Sequence, residues 1–235
     1  MKKLILGFSV ISTLLLSSAA EAAVTIDRTR VIFPGNSDSI SLSVINSNKS
    51  LPYLAQAWLE NSEGQKINSP FTILPPIQRL EASSRSLLKI QALPGIVQLP
   101  QDRESLFYFN LREIPPKAEK ANTLQLALQT KVKFFYRPKA LVMMSSGVSK
   151  PKPWQQQLVL QQENGRYRLQ NPTPYYVTIA SALKTGGSKA DGKFEPIMLA
   201  PKTDEVLDLT VRQLGQDPVL TYIDDFGAQR KLHFI

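Results

Sequence analysis

A single histidine, His233, and no cysteine at all restrict what this 235-residue chain could do as a catalyst. Neither a Cys–His nucleophile pair nor a structural zinc site can be assembled from that inventory. A serine triad would have to recruit His233 itself, and no G-x-S-x-G elbow is present. His233 lies in a short apolar run near residue 235 and is expected on a surface or an edge strand. "GSKADGK", Gly187 to Lys193, spells G-x-x-x-x-G-K. Phe194 stands where a magnesium-binding hydroxyl belongs, and Pro196 follows where a helix should present its N-terminus to phosphate. A polar loop between two strands fits this stretch better. The adjacent carboxylates Asp224 and Asp225 would point to opposite faces of a strand, and Gly227 marks a turn there instead. No catalytic residue, metal site or cofactor is expected, and the chain does not read as an enzyme.

A different pattern stands out in "NTLQLALQTKVKFFYRP", residues 122–138. Leu124, Leu126, Leu128, Thr130, Val132, Phe134 and Tyr136 fall on one register, and a mostly polar, basic row falls on the other. Period-two alternation means a strand, and the β-branched and aromatic "VKFFY" outweighs any helix through "LQLALQ". The run is more than twice the usual length of about five or six residues. Periodicity alone would place the row in the chain's own core.

The elements around it are also strands. A charged start at Lys2 and Lys3, an apolar run from Leu4 to Leu16 and the small-residue site Ala20-Glu21-Ala22 mark residues 1–22 as a removable signal peptide. The apolar run is too short to span a bilayer, so the mature chain from Ala23 is expected to be exported, with no membrane insertion. The formal net charge is +9, but the cations are interspersed with acids, and no nucleic-acid partner is expected. Short β-rich runs recur at Val24–Phe33, Ile40–Ile45, Tyr53–Leu59, Ser86–Ala92 and Leu106–Arg112, and again at Gln157–Leu160, Tyr167–Leu169, Tyr175–Leu183, Val206–Val211, Val219–Ile223 and Lys231–Phe234. Such spacing predicts an all-β chain of antiparallel sandwiches without a convincing helix. "PKALVMMSSGVSKPKP" looks like a boundary, which gives domains at 23–138 and 153–235 with a linker over 139–152. Each half is large enough for its own core without disulfides.

Several stretches together resemble the PapD-like periplasmic pilus (fimbrial) chaperone family, which includes the P-pilus chaperone. "LPQDRESLFYFNLREIP" (Leu99 to Pro115) matches the family signature along its length. "DRTRVIF" (Asp27 to Phe33), "LPYLAQAW" (Leu51 to Trp58), "LQTKVKFFYRP" (Leu128 to Pro138) and "NPTPYYVT" (Asn171 to Thr178) follow the family order. The short connection "EIPPKAEKAN", with no flanking cysteine pair, resembles the short-loop branch that serves rod-like pili.

The resemblance implies two tandem immunoglobulin-like β-sandwich domains arranged around a cleft. It also implies a periplasmic chaperone that stabilises pilus subunits by donor-strand complementation and delivers them to an outer-membrane usher. The donor strand would cover about residues 122–136, with Leu124, Leu126 and Leu128 filling the subunit's groove rather than this chain's core. Arg30 and Lys133 would hold the subunit's terminal carboxylate, with Arg28 and Lys131 as neighbouring surface cations for contrast. Glu104, Arg137 and Asp225 would form ion pairs between the domains, the choice of Asp225 over Asp224 resting on the alignment of "YIDDFG". Free of a subunit, the leucine row would also be open to self-association. A pilus structural protein built from the same sandwiches would instead be expected to carry a free alternating extension ahead of "VTIDRTRVIF".

Overall fold

The computed structural model describes residues 22–118, 122–142, 153–188, 190–232 and 234. The expected leader up to Glu21, residues 143–152 of the expected linker and His233 lie outside the described residues. The first half holds β1 (Val24–Ile26), β2 (Arg30–Pro34), β3 (Ser39–Asn46), β4 (Tyr53–Glu60), β5 (Lys66–Ile67), β6 (Phe71–Leu74), β7 (Ile77–Leu80), β8 (Arg85–Ala92), β9 (Ser105–Ile114) and β10 (Gln129–Arg137). One sheet runs β1-β3-β8-β6 and the other β2-β10-β9-β4-β5, with β7 also paired to β4. The expected single run Val24–Phe33 is therefore two strands on two different sheets. The chain crosses between them at Asp27–Thr29, where Asp27 N still donates to Ser43 O at 3.2 Å before the sheet is left behind.

Not every pairing is antiparallel as the spacing suggests: β2 lies parallel to β10, from Arg30 opposite Lys133 to Pro34 opposite Arg137. A parallel neighbour is possible because the chain that connects the two strands passes through the rest of the sandwich. "FTILPPIQRL" forms β6 and β7 on either side of Pro75 and Pro76, strands that the prolines concealed in the sequence. The two inner faces meet in one core. Phe71 sits at its centre, with the rings of Phe33 and Phe134 each 5.0 Å away and Phe107 at 5.4 Å. Tilted and edge-on contacts of this kind add to the area the rings bury.

The second half contains β11 (Val159–Glu163), β12 (Arg166–Asn171), β13 (Val177–Leu183), β14 (Ile197–Leu199), β15 (Thr203–Thr210), the one-turn helix α1 (Val211–Leu214), β16 (Val219–Ile223) and β17 (Gln229–Lys231). Its sheets run β11-β12-β15 and β14-β13-β16-β17 around a core of Leu169, Ile179, Leu207 and Leu220. The helix corrects the expectation of strands only. Thr210 Oγ1 accepts from Gln213 N, while Gln213 Oε1 accepts from Thr210 N at 2.9 Å. That reciprocal cap satisfies two otherwise orphaned donors and lets a single turn form. No helix among the described residues is long and apolar enough to cross a membrane.

The long alternating row divides in two. Phe134 and Tyr136 are buried in the first core with Val132 packed against it, but β10 starts only at Gln129. Leu124, Leu126 and Leu128 are 83%, 64% and 37% exposed and belong to no strand. The reason lies in the neighbours. Glu113 N donates to Leu128 O at 3.0 Å, and just beyond it Pro115 and Pro116 have no N–H to continue the ladder. On the other side β2 begins only opposite Lys133, so no strand among the described residues covers that edge before it.

Phe134→Ala should therefore lower the unfolding free energy by about 3–5 kcal/mol, as for other buried aromatic truncations. Leu126→Ala should stay within about 0.5 kcal/mol. Urea unfolding of both variants checks the pair.

Candidate functional site: a cationic cleft beside an open strand edge

Side chains along β2 and β10 alternate, so Val31, Phe33, Phe134 and Tyr136 enter the core while Arg30, Ile32, Lys133 and Phe135 share the opposite face. Register places Arg30 directly beside Lys133. Both are partly shielded by the second half of the chain. Arg30 Nη1 donates to Ile223 O at 3.3 Å, and Lys133 Nζ donates to Thr178 Oγ1 at 3.1 Å. Phe135 packs on Tyr176 with ring centroids 5.5 Å apart.

Neither cation has an ion-pair partner among the described residues, and Arg30 Nε is buried without any hydrogen-bond acceptor. The neighbouring cations behave differently. Arg28 is paired side-on with Asp27 at 2.8 Å, and Lys131 reaches Glu60 at 2.6 Å while lying over the Tyr108 ring. Burial pushes the Arg30 guanidinium below its ordinary pKa, against the pull of Asp225, Asp224 and Glu104. Burial lowers the Lys133 ammonium too, and the adjacent Arg30 charge lowers it further. Two like charges held together in a desolvated cleft are costly, and a carboxylate between them would relieve that cost through charge-assisted hydrogen bonds.

The cleft is held by a second set of groups. Arg137, at the end of β10, donates through Nε to Glu104 Oε1 at 2.8 Å and through Nη1 and Nη2 to Asp225 at 2.7 and 3.0 Å. Glu104 Oε2 accepts from Tyr176 N at 2.8 Å. Burial pushes the Glu104 carboxyl above the ordinary carboxylate range, opposed by Arg137 and the Tyr176 N–H. Asp224 has a separate job: Oδ1 accepts from Phe226 N and Ala228 N, and Oδ2 from Arg230 Nε, which closes the turn between β16 and β17. Asp225 alone of the two reaches Arg137. Outside this network, Lys202 Nζ joins Asp102 at 3.0 Å across the same boundary.

Thr178, Tyr176 and the Ile223 carbonyl enter the cleft without having been singled out in the sequence. Tyr176 and Thr178 lie within "NPTPYYVT", so the segment was visible but its contacts to Lys133 and Glu104 were not. The G-x-x-x-x-G-K stretch has no helix after it: residues 190–196 have no helical turn, and Lys193 pairs with Glu195 at the surface.

The chain is similar to known proteins along its described length. The family model for "Pili and flagellar-assembly chaperone, PapD N-terminal domain" matches residues 23–142, and that for "Pili assembly chaperone PapD, C-terminal domain" matches residues 153–234. The chain is 49% identical to the chaperone protein PapD of Escherichia coli over 223 residues, covering 93% of this chain and 88% of that protein. It is 40% identical over 241 residues to the chaperone protein PmfD of Proteus mirabilis, covering 97% and 92%. The solved Salmonella enterica SafA pilin in complex with the SafB chaperone gives a TM-score of 0.72 at 27% identity, covering 93% of this chain and 98% of that one.

Arg137→Ala should cost about 3–5 kcal/mol in chemical denaturation, because it strands the buried Glu104 carboxylate. Arg28→Ala, which breaks only a local surface pair with its sequence neighbour, should leave the midpoint nearly unchanged.

Proposed function

The chain belongs to the PapD family of pilus-assembly chaperones, and from that premise we propose that it is an exported periplasmic chaperone that completes pilus subunits with its own strand edge and passes them to an outer-membrane usher. One observation carries the reading: an open strand edge with an exposed leucine row leads straight to two shielded cations that have no carboxylate partner among the described residues. A subunit sandwich that lacks a strand exposes both unpaired backbone groups and core side chains. The free edge N-terminal to Lys133 offers the backbone groups, and Leu124, Leu126 and Leu128 offer the side chains.

Geometry fixes the polarity. A subunit strand that pairs along residues 124–132 and brings its terminal carboxylate to Arg30 and Lys133 must run parallel to β10, stopping where β2 begins. In that position it continues the line of β2 across the gap. Each leucine buried is worth roughly 1.5–3 kcal/mol, and each hydrogen bond to the carboxylate about 1.5–3 kcal/mol, before association and ordering costs. The anchor also sets register, since a slip by one residue turns every leucine to the wrong face. The expected domain limits, 23–138 and 153–235, keep this edge and the anchor in one unit and the Thr178 and Ile223 contacts in the other.

Arg30→Ala or Lys133→Ala should abolish recovery of chaperone–subunit complexes from the periplasm of cells co-expressing the exported products of adjacent genes, with the variants still folded. Lys131→Ala, which removes an ammonium already held by Glu60, should retain recovery. Wild-type yields from the first two variants would remove the anchor.

Lys133 predicts a pH dependence as well. Its pKa is lowered in the free chain and a bound carboxylate raises it, so binding takes up a proton at alkaline pH. Affinity should be constant below the free-chain pKa and fall by up to about tenfold per pH unit above it, until the pKa of the complex is passed. Calorimetric titration of a purified subunit–chaperone pair at rising pH, in buffers of different ionisation enthalpy, tests both the affinity and the proton uptake.

A further inference from the structure

The turn joining β16 to β17 holds Phe226 with 94% of its surface exposed. A lone exposed aromatic needs no explanation by itself, but this one is presented by a fixed support. Asp224 Oδ1 accepts from Phe226 N at 3.0 Å and Ala228 N at 2.8 Å, Asp224 N donates to Ala228 O at 2.8 Å, and Gly227 N donates to Asp224 O at 3.0 Å. Gly227 takes φ of +88°, and a Cβ there would collide with Thr29 Oγ1, so the turn is seated directly on the segment leading into β2. Asp225, the residue before Phe226, is tied to Arg137.

Phe226 overhangs an open cleft of about 520 Å³ that it shares with Asp27, Arg28, Arg30, Ile32 and Asp225. Asp27 is paired with Arg28, and Asp225 with an Arg137 guanidinium that Glu104 shares, so Arg30 is the cleft cation with no carboxylate in contact among the described residues. Ile32 and Phe226 supply its apolar surface. The complementary ligand carries a carboxylate and, close to it, a bulky apolar side chain.

We infer that Phe226 is the apolar wall of the carboxylate site and receives a bulky apolar side chain from the last two residues of the client, so that the second domain selects among client C-termini. This rests on the reading of Arg30 and Lys133 as the carboxylate anchor. The division of labour is chemical: the cations recognise the terminus common to every chain, and the phenyl ring discriminates between the side chains beside it. Truncating so exposed a ring leaves the turn's hydrogen bonds intact, because all of them are made by the backbone or by Asp224.

Three synthetic peptides of alternating leucine and serine test this by fluorescence titration of the full chain: one ending in Phe, one ending in Ala, and one ending in Phe with its carboxyl amidated. Phe226→Ala should weaken the Phe-ended acid about three- to tenfold, Phe226→Tyr should restore it, and the Ala-ended acid should bind both proteins alike. An equal effect on both acids, no effect on either, or no binding of the Phe-ended acid to the unmodified chain overturns the inference. Equal binding of the amidated and free-acid peptides removes the anchor instead, and the inference falls with its premise.

Discussion

Backbone N–H and C=O groups must find partners, and β10 has partners for only part of its length on one side. β9 covers one edge from Gln129 to Tyr136, while β2 covers the other edge only from Lys133 onward. The rest of that edge has no strand neighbour among the described residues, and the leucine stretch before it is held on the β9 side only by isolated contacts such as Glu113 N to Leu128 O. Unpaired edges with apolar side chains are an aggregation hazard that most proteins blunt with charge, proline or a covering loop. Here the cations on the strand's opposite face are Lys131, Lys133 and Arg137, and none of them blocks the leucines. The hazard makes sense as the device by which the chain meets a partner with the matching defect.

The fold ends that edge at a defined place. β2 stops the groove by occupying the line that an incoming strand would follow, and its first residue is Arg30. The second domain then roofs the stopping point through Thr178 and the Ile223 carbonyl. Buried ion pairs such as Arg137 with Glu104 and Asp225 contribute little net stability, since desolvation offsets most of the attraction. Their directional demands are their use here: a guanidinium that must meet carboxylates from β9's approach and from the β16–β17 turn allows one relative placement of the two domains. The Phe135–Tyr176 contact and the Lys202–Asp102 pair agree with that same placement.

Much of this was legible in the chain because period-two alternation survives wherever a strand has one buried face. Ile40–Ile45, Ser86–Ala92 and Val219–Ile223 lie within the observed strands to within a residue or two. Alternation could not show that Asp27–Thr29 carries the chain from one sheet to the other, because both strands share the same pattern. Nor could it separate Phe134 and Tyr136, which enter this chain's core, from Leu124 to Leu128, which do not: the row is continuous and only the neighbours change. The helix at Val211–Leu214 was announced by Thr210 and Gln213 at capping-box spacing, but β-branched surroundings masked it. The distinct duties of Asp224 and Asp225 depend on Arg137, 88 residues away from Asp225, and no local pattern carries that.

The absence of regular structure in the leucine stretch also bears on release. Ordering the six residues 123–128 into a strand costs roughly 6–12 kcal/mol in backbone entropy at about 1–2 kcal/mol each, against roughly 4.5–9 kcal/mol for burying its three leucines. Hydrophobic insertion alone thus leaves no surplus, and in the complex proposed above the net stability must come from strand hydrogen bonds and from the carboxylate contacts proposed at Arg30 and Lys133. A competing strand whose apolar row fits the same groove better would displace the donated edge. Exchange of this kind would require no nucleotide, since the difference between an adapted groove-filler and a marginal one would itself be the driving force.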